Sequence, residues 1–221
     1  MHFEILVEDQ SGKKALDILV PKIIDAQQHS FRVISYKGVG RIPKNLHKES
    51  DASKRILLDQ LPRLLRGYGK IFTGYPPSQP AAVIVVCDLD DKCLKSFREE
   101  LEVILNDCAP KPETRFIFAV EEGEAWFLGD ISAIKLAYPS AKDSVLRGYV
   151  HDSVCGTWEL LANALYRGGA DALSARGWQA VGAEKSAWAE KISPYMKIEN
   201  NISPSFVYFL KKIRELANTC K

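Results

Sequence analysis

Four segments in the first part of the chain have the hydrophobic pattern of β-strands. In the first of them, Phe3, Ile5 and Val7 recur at the two-residue spacing of a strand. The third, AAVIVVCD, is apolar without alternation, which is typical of a strand covered on both faces. The predicted strands are residues 2–8, 30–38, 81–88 and 115–121.

Between and after these strands, apolar residues recur at helical spacing. Pro62 lies inside the second predicted helix and is expected to bend or interrupt it. The last predicted helix has Ser203 or Ser205 as its N-cap and an apolar stripe that runs from Phe206 to Leu216. The predicted helices are residues 12–25, 53–67, 94–105, 123–138, 157–166, 183–196 and 203–218.

The order of these elements predicts the fold class. Strands alternate with helices up to about residue 125, and only helices follow. Such alternation favours an α/β fold with a mostly parallel four-stranded sheet flanked by helices. We expect an α/β domain over residues 1–125, with a helical C-terminal region over residues 126–221 packed on it.

The composition is that of a globular protein, with 46% hydrophobic and 26% charged residues in a chain of 221. No apolar run approaches the ~18 residues that cross a bilayer, and the N-terminus lacks the pattern of a signal peptide. We therefore expect a soluble, cytoplasmic protein. The cysteines form no CxxC pair and are expected to be core residues in a reducing compartment: Cys87, Cys93, Cys108, Cys155 and Cys220. Helical spacing among apolar residues likewise favours core positions for Trp126, Trp158, Trp178 and Trp188 over a base-stacking surface.

Charge is unevenly distributed along the chain. Residues 30–70 contain ten Lys or Arg against three Asp or Glu, a net charge of +7. Residues 88–130 contain five against twelve, a net charge of −7. The first segment is expected to face an anion and the second to hold cations.

Acidic residues end three of the four predicted strands. Ligands of an open parallel sheet bind outside the carboxyl ends of its strands, so these acids are expected at one edge. Carboxylates at that density suit Mg²⁺ or Mn²⁺, since they would otherwise repel one another and take up protons. The acids in question are Glu8 after the first strand, Asp88 and Asp90 at the third, and Glu121, Glu122 and Glu124 at the fourth.

Other interpretations of the DLDD sequence at residues 88–91 were weighed. Asp90 or Asp91 would serve equally well as the N-cap of the helix that follows. An EF-hand is excluded, because Lys92 would fall at a ligand position and Cys93 at the required glycine. A Walker B acid is excluded because the chain has no GxxxxGK[ST] phosphate loop. A phosphoacceptor aspartate normally follows the first strand, whereas these acids follow the third.

Taken together, the motifs resemble the Toprim domain of topoisomerases, primases and the nucleases of the overcoming-lysogenization-defect class. The resemblance is closer to a Toprim-like family of bacterial proteins often encoded beside an ATPase, which includes the effector subunit of PARIS-type anti-phage systems. The similar pieces span nearly the whole chain: LVEDQSGKKAL, YKGVG, LPRLLRGY, VVCDLDDKC, FAVEEGEAWFLGD, GTWELLANALYRGG, KSAWAEKISPYM and NISPSF. The chain departs from the family in having Asp9 where glycine usually follows the glutamate, and YKGVG in place of a commoner GKG form.

The resemblance implies an Mg²⁺-dependent or Mn²⁺-dependent nuclease in anti-phage defence. Asp88 and Asp90 would coordinate the metal, and Glu121 and Glu124 would complete a first or second metal site. Glu8 would act as general base or bridging ligand. The implied partners are a DNA, tRNA or other RNA substrate, an ATPase, and a second copy of the chain.

The basic loop after the second strand also lies at the carboxyl edge. Its residues Lys37, Arg41 and Lys44 are expected to steer a nucleic-acid backbone towards the acidic pocket. A merely solvated loop is the alternative. Two other functions remain open: a non-catalytic regulatory subunit that binds a metal or nucleotide for an ATPase, and a metal-dependent phosphotransferase or phosphatase.

Overall fold

A computed structural model describes residues 1–47, 50–152 and 156–219. All four predicted strands are present and form one parallel sheet in the order β2-β1-β3-β4. The strands are β1 His2–Val7, β2 Ser30–Ser35, β3 Ala81–Asp88 and β4 Thr114–Ala119. The predicted α/β class with a four-stranded parallel sheet flanked by helices is confirmed. Because every strand runs the same way, all four carboxyl ends lie at one edge of the sheet.

Three helices of the first part connect these strands. They are α1 Gln10–Leu19, α2 Leu57–Phe72 and α3 Leu94–Asn106, with short 3-10 turns at Val20–Lys22 and Ala52–Lys54. Pro62 is buried within α2 and does not interrupt it, contrary to one of the two predicted outcomes. The stripe of leucines on α2 packs against the sheet on both sides of the proline, which holds the helix together despite the missing N–H donor.

The prediction of a single helix over residues 123–138 is wrong, because the structure has two helices there. They are α4 Glu124–Leu128 and α5 Ile131–Ala137. Asp130 interrupts the run by capping α5, where its Oδ1 accepts from the backbone N–H of Ala133 at 3.0 Å. Gly129 lies so close to Asn201 that a Cβ at this position would overlap the Asn201 side chain. The break therefore brings the chain into contact with the segment that precedes the last helix.

Five further helices complete the described chain: α6 Asp143–Leu146, α7 Thr157–Leu165, α8 Gly169–Ser174, α9 Trp178–Ile192 and α10 Pro204–Asn218. Helices α6 and α8 had no prediction. Ser203 is the N-cap of α10, as predicted, and its Oγ accepts from the N–H of Phe206 at 3.5 Å. The predicted apolar stripe of α10 from Phe206 to Leu216 is buried.

Apolar cores cover both faces of the sheet. One contains α2 and α3, while the other contains α1 and the helices that follow residue 125. The second core joins β1 residues such as Phe3 to Trp126, Trp188 and Phe206 without interruption. The division of the chain at residue 125 stays a prediction.

Two of the predicted core assignments are wrong. Cys87 and Cys108 are buried, but Cys93 is exposed. Trp126, Trp158 and Trp188 are buried, whereas Trp178 is 80% exposed. Cys155 and Cys220 lie outside the described residues. Among the helices that the structure describes, none is long and apolar enough to span a membrane.

Candidate functional site

Backbone hydrogen bonds tie the turns at the carboxyl edge of the sheet to one another. The N–H of Gly38, after β2, donates to the carbonyl of Glu8, after β1, at 2.7 Å. The N–H of Asp90, after β3, donates to the carbonyl of Glu121, after β4, at 2.9 Å. We call the acids on these turns the acidic edge: Glu8, Asp9, Asp88, Asp90, Glu121, Glu122 and Glu124. These bonds join the turn after β2 to the turn after β1, and the turn after β3 to the turn after β4.

Glu8 and Asp88 lie together at the centre of the acidic edge. The backbone N–H of Asp88 donates to Oε2 of Glu8 at 3.3 Å. Burial, reinforced by the charge of Asp9, raises the pKa of Glu8 from 4.5 to about 7. Burial and the neighbouring Glu8 also raise the pKa of Asp88 well above its ordinary value. The negative charges of these two side chains therefore repel each other, and a bound cation or proton would relieve that repulsion.

Asp9, which directly follows Glu8, has a structural role. It is the N-cap of α1, where its Oδ1 accepts from the N–H of Gly12 at 2.7 Å and its Oδ2 from the hydroxyl of Ser11 at 2.6 Å. These two bonds satisfy donors at the start of the helix. The charge of Asp9 is nevertheless close enough to raise the pKa of Glu8.

Glu124 and Lys185 form a buried ion pair beside Glu8 and Asp88. The Nζ of Lys185 lies 3.1 Å from Oε2 of Glu124, and the two side chains are 14% and 2% exposed. Burial raises the pKa of Glu124 to about 7, although Lys185 opposes the shift. Burial alone would lower the pKa of Lys185, but the charges of Glu124 and Asp88 outweigh it and raise that pKa. The ammonium group of Lys185 therefore stays charged and lies between the acidic side chains.

Lys185 is a residue of the site that was not predicted from the sequence. A lysine in an amphipathic helix is usually solvated, and the pattern of α9 is weakly amphipathic. One signal was present: Lys185 lies between Val181 and Trp188 at spacings of four and three, which places it on the buried stripe of α9. A lysine on an apolar stripe with unpaired acids elsewhere in the sequence is a candidate for a buried ion pair.

Asp90 and Glu121 line an adjoining pocket with Asp91 and Glu122. The Asp90 Oδ2 lies 2.9 Å from the Nζ of Lys92. Asp90 and Glu121 both adopt positive φ angles, 49° and 68°, which are uncommon for residues with a side chain. The N-cap of α3 is Cys93, so the alternative in which Asp90 or Asp91 caps this helix is wrong.

Glu122, which lines this pocket, also bonds to the start of α7. Its Oε2 accepts from the hydroxyl of Thr157 and from the N–H of Trp158, each at 3.0 Å. This carboxylate therefore fixes the start of α7 against the acidic edge, as acids do at helix N-termini.

A narrow cavity of about 40 Å³ opens between Glu8, Asp88, Glu124 and Lys185. Its inner wall is apolar and includes Val86, Trp126 and Phe127, among others. Since one water needs roughly 10–15 Å³ by the same measure, the cavity admits a few waters or a small ion. A nucleobase is far too large for it, so a nucleic acid would approach from outside.

The arrangement of the acidic edge bears on the predicted metal site. Among the residues that the structure describes, no three His, Cys, Asp or Glu side chains are arranged to hold a metal ion as they stand. Glu8 and Asp88 adjoin one cavity, while Asp90 turns to Lys92. The donor set itself fits Mg²⁺ or Mn²⁺, since it consists of carboxylate oxygens. Burial raises the pKa of three of these acids, which indicates that Lys185 alone does not neutralise them.

The predicted basic loop lies beside the acidic edge. Lys37, Arg41 and Lys44 are exposed, and Arg41 and Lys44 line one groove of about 650 Å³. The YKGVG turn requires its glycines, which have φ angles of 100° and 70° at Gly38 and Gly40. A Cβ at Gly40 would also overlap Ile56. The hydrogen bond from Gly38 to Glu8 fixes this loop relative to the candidate site.

Comparisons with protein-family models, with curated proteins and with solved structures find no match to this chain. The resemblance to Toprim proteins therefore stays a prediction.

Proposed function

We propose that the chain is a nuclease that depends on a divalent metal ion and acts with a partner ATPase in anti-phage defence. One observation carries the enzymatic part of this proposal. Two partly buried acids from distant positions, Glu8 and Asp88, meet at the carboxyl edge of a parallel sheet with raised pKa values. Groups with strongly shifted pKa values in a cleft at this edge are candidates for catalysis and for cation binding.

Each group has a task in this proposal. Glu8, with a pKa of about 7, would take a proton from the attacking water near neutral pH. Lys185 reduces the repulsion between the carboxylates and an incoming phosphate. Lys37, Arg41 and Lys44 would contact the nucleic-acid backbone beside the cavity. Asp88, Asp90, Glu121 and Glu124 would hold Mg²⁺ or Mn²⁺, which supplies charge neutralisation and activates water when bound.

Cleavage assays with matched variants test the proposal. Wild-type protein is incubated with Mg²⁺ or Mn²⁺ and, in separate reactions, with DNA, tRNA and a generic phosphomonoester. Glu8→Gln and Asp88→Asn are each expected to lower nucleic-acid cleavage by at least about 100-fold, in the range of a lost acid–base group. Glu113→Gln is the control, since Glu113 is exposed and precedes β4 at the opposite edge of the sheet.

The outcome separates the three candidate functions. Metal-dependent cleavage that persists in both Glu8→Gln and Asp88→Asn excludes this site as the nuclease centre. Turnover of the phosphomonoester alone supports a phosphatase. Absence of turnover with any substrate excludes an enzyme of either kind under these conditions.

A specific observation favours a non-catalytic regulatory subunit as the second candidate. Lys185 already neutralises part of the acidic edge, and the described side chains do not form a ready metal site. A buried ion pair of this kind is compatible with a purely structural or regulatory role. Calorimetry with Mg²⁺ separates the two candidates, because the nuclease proposal requires metal binding that Asp88→Asn weakens, together with cleavage. Metal binding without turnover favours the regulatory function.

A further inference from the structure

Trp178 differs from the other tryptophans of this chain in its surroundings. It is 80% exposed, while Trp126, Trp158 and Trp188 are at most 7% exposed. A tryptophan that packs in a core typically buries about 150–250 Å² of surface. Trp178 leaves most of its ring in solvent, so the fold gains little from it.

The exposed ring lies close to the candidate site. Trp178 and Lys185 are seven residues apart on α9, which places them on the same face of the helix about 10 Å apart along its axis. The Trp178 ring also contacts Trp158 edge to face, with centroids 6.4 Å apart. The backbone N–H of Trp158 in turn donates to Glu122 of the acidic edge. The spacing to Lys185 along α9 and the contact with Trp158 thus each place Trp178 near the acidic edge.

The local backbone holds the ring in this position. Gly177, with a φ of 88°, is the N-cap of α9, so the helix begins at Trp178 itself. Val181, one turn later, is buried and anchors this end of α9 in the core. Trp158 is almost fully buried and supports one edge of the Trp178 ring. Trp158 therefore supports one edge of the ring, while most of the ring surface stays accessible to solvent.

Charged side chains of both signs belong to the elements next to the ring. Arg176 bonds the hydroxyl of Tyr166 at 2.6 Å, and the exposed Arg167 follows that tyrosine. Asp171 and Glu184 are the neighbouring acids of α8 and α9. Arg167 and Arg176 are the groups of these elements that would contact the phosphates of a strand whose base stacks on Trp178.

We infer that Trp178 is a stacking platform for an unpaired nucleobase next to the phosphate bound at the acidic edge. The inference rests on the proposed nuclease function and narrows its substrate to a nucleic acid with a single-stranded or unpaired segment. In a regular duplex, the faces of the bases are covered by their neighbours, so Trp178 would have nothing to stack on. Base–aromatic stacking tolerates any base, so no strong sequence preference is expected from this contact.

Equilibrium binding of labelled oligonucleotides to the full chain tests the inference. A short fluorescein-labelled single strand and a blunt hairpin duplex are titrated with wild type, Trp178→Ala and Trp178→Phe, in Ca²⁺ to limit cleavage. Trp178→Ala is expected to weaken single-strand binding by about 5-fold to 100-fold, whereas Trp178→Phe retains most of the affinity. Binding of the duplex is expected to be the same for all three proteins.

The control is Tyr75→Ala, which removes another exposed aromatic side chain. Tyr75 lies beside Met1 and His29 at the amino edge of the sheet, away from the candidate site. This variant is expected to bind the single strand as wild type does. Thermal melts of each variant establish that folding is intact, which the exposure of Trp178 leads us to expect.

Cleavage of the single strand in Mg²⁺, measured in parallel, separates the two proposals. If wild type and Trp178→Ala bind the single strand equally, the stacking inference is wrong, even when wild type cleaves. If binding depends on Trp178 but nothing is cleaved in Mg²⁺ or Mn²⁺, the inference stands and the nuclease proposal fails. If Trp178→Ala alters only the binding of a partner protein, the surface belongs to that partner and the inference is overturned.

Discussion

The buried acids of the acidic edge bind protons more tightly than surface acids do. The pKa of Glu8 rises from 4.5 to about 7 through burial first and the charge of Asp9 second. Between these two pH values the folded chain holds a proton that the unfolded chain has released. The free energy of unfolding therefore falls as the pH rises through this interval. This is the reverse of the behaviour of a salt-bridged surface carboxylate.

We predict a loss of about 2–3 kcal/mol in the free energy of unfolding between pH 4.5 and about pH 7 from this group, in EDTA. Glu8→Gln cannot ionise and is expected to show a smaller decrease over the same interval. Urea unfolding followed by circular dichroism measures both. Glu113→Gln, which changes an exposed acid, is expected to keep the wild-type profile. An unchanged profile in Glu8→Gln would show that Glu8 does not carry the effect.

Lys185 supports a second prediction at the residue scale. Lys185→Met keeps the length of the side chain but leaves Glu124 and Asp88 buried without their cation. We expect a loss of about 3–5 kcal/mol above pH 7, as for other broken buried ion pairs, and a smaller loss at lower pH, where the acids take up protons. Thermal and urea unfolding at both pH values measure the loss.

A double variant provides the control for this prediction. Lys185→Met combined with Glu124→Gln is expected to be more stable than Lys185→Met alone, because it removes one uncompensated charge. Lys191→Met, on the exposed side of the same helix, is expected to change stability by less than about 1 kcal/mol. If the double variant is no more stable than Lys185→Met, the two side chains are not coupled.

At the scale of elements, the Asp130 side chain joins two segments of the C-terminal region. Its Oδ1 caps α5, and its Oδ2 accepts from the N–H of Lys197, after α9, at 2.9 Å. We predict that Asp130→Ala lowers the free energy of unfolding by about 2–4 kcal/mol, because a cap and a second bond to a largely buried carboxylate are lost together. Chemical denaturation measures the change. Asp17→Ala, at an exposed pair with Lys13, is the control and is expected to cost less than about 1 kcal/mol. A similar cost for the two variants would contradict this role of Asp130.

Elements with strong periodicity could be predicted from the sequence. The continuous run of β3 and the stripe of α10 from Phe206 to Leu216 depend on local pattern, and both are present. The break between α4 and α5 depends on the approach of Gly129 to Asn201, a contact between distant segments. Local periodicity contains no information about such a contact, so the two helices were predicted as one.

In the candidate site, too, some features follow from the sequence pattern and others depend on contacts between distant segments. The acids at strand ends could be placed at one edge because all strands of a parallel sheet end there. The ammonium of Lys185 could not be placed there from the sequence, because its position depends on how α9 packs along α1. Lys14 of α1 pairs with Glu190 of α9 at 2.6 Å in this packing. The exposure of Trp178 also depends on this packing, because its helical spacing matches that of a buried residue.

At the scale of the whole molecule, the net charge of +2 conceals two opposed regions that meet at the carboxyl edge of the sheet. Residues 30–70 carry a net charge of +7, and residues 88–130 carry −7. Glu8 links the two regions, since its carbonyl accepts from the N–H of Gly38 and its side chain accepts from the N–H of Asp88. A nucleic acid would be repelled by the acidic edge alone, so its binding requires the cations of the neighbouring loop.

This arrangement predicts how binding depends on salt. Replacing Lys37, Arg41 and Lys44 together by glutamine is expected to weaken binding of DNA and RNA. The slope of log K against log[salt] is expected to fall by about 2–3, since each lost phosphate contact contributes about 0.7 on single strands and about 0.9 on duplex DNA. Fluorescence anisotropy over a series of salt concentrations measures the slope. A variant with Lys70→Gln and Lys211→Gln, two exposed lysines outside this loop, corrects for the change in net charge. If the loop variant keeps the wild-type slope, the loop is merely solvated; if both variants reduce the slope equally for each charge, binding is a general response to net charge and the loop does not guide the backbone to the acidic edge.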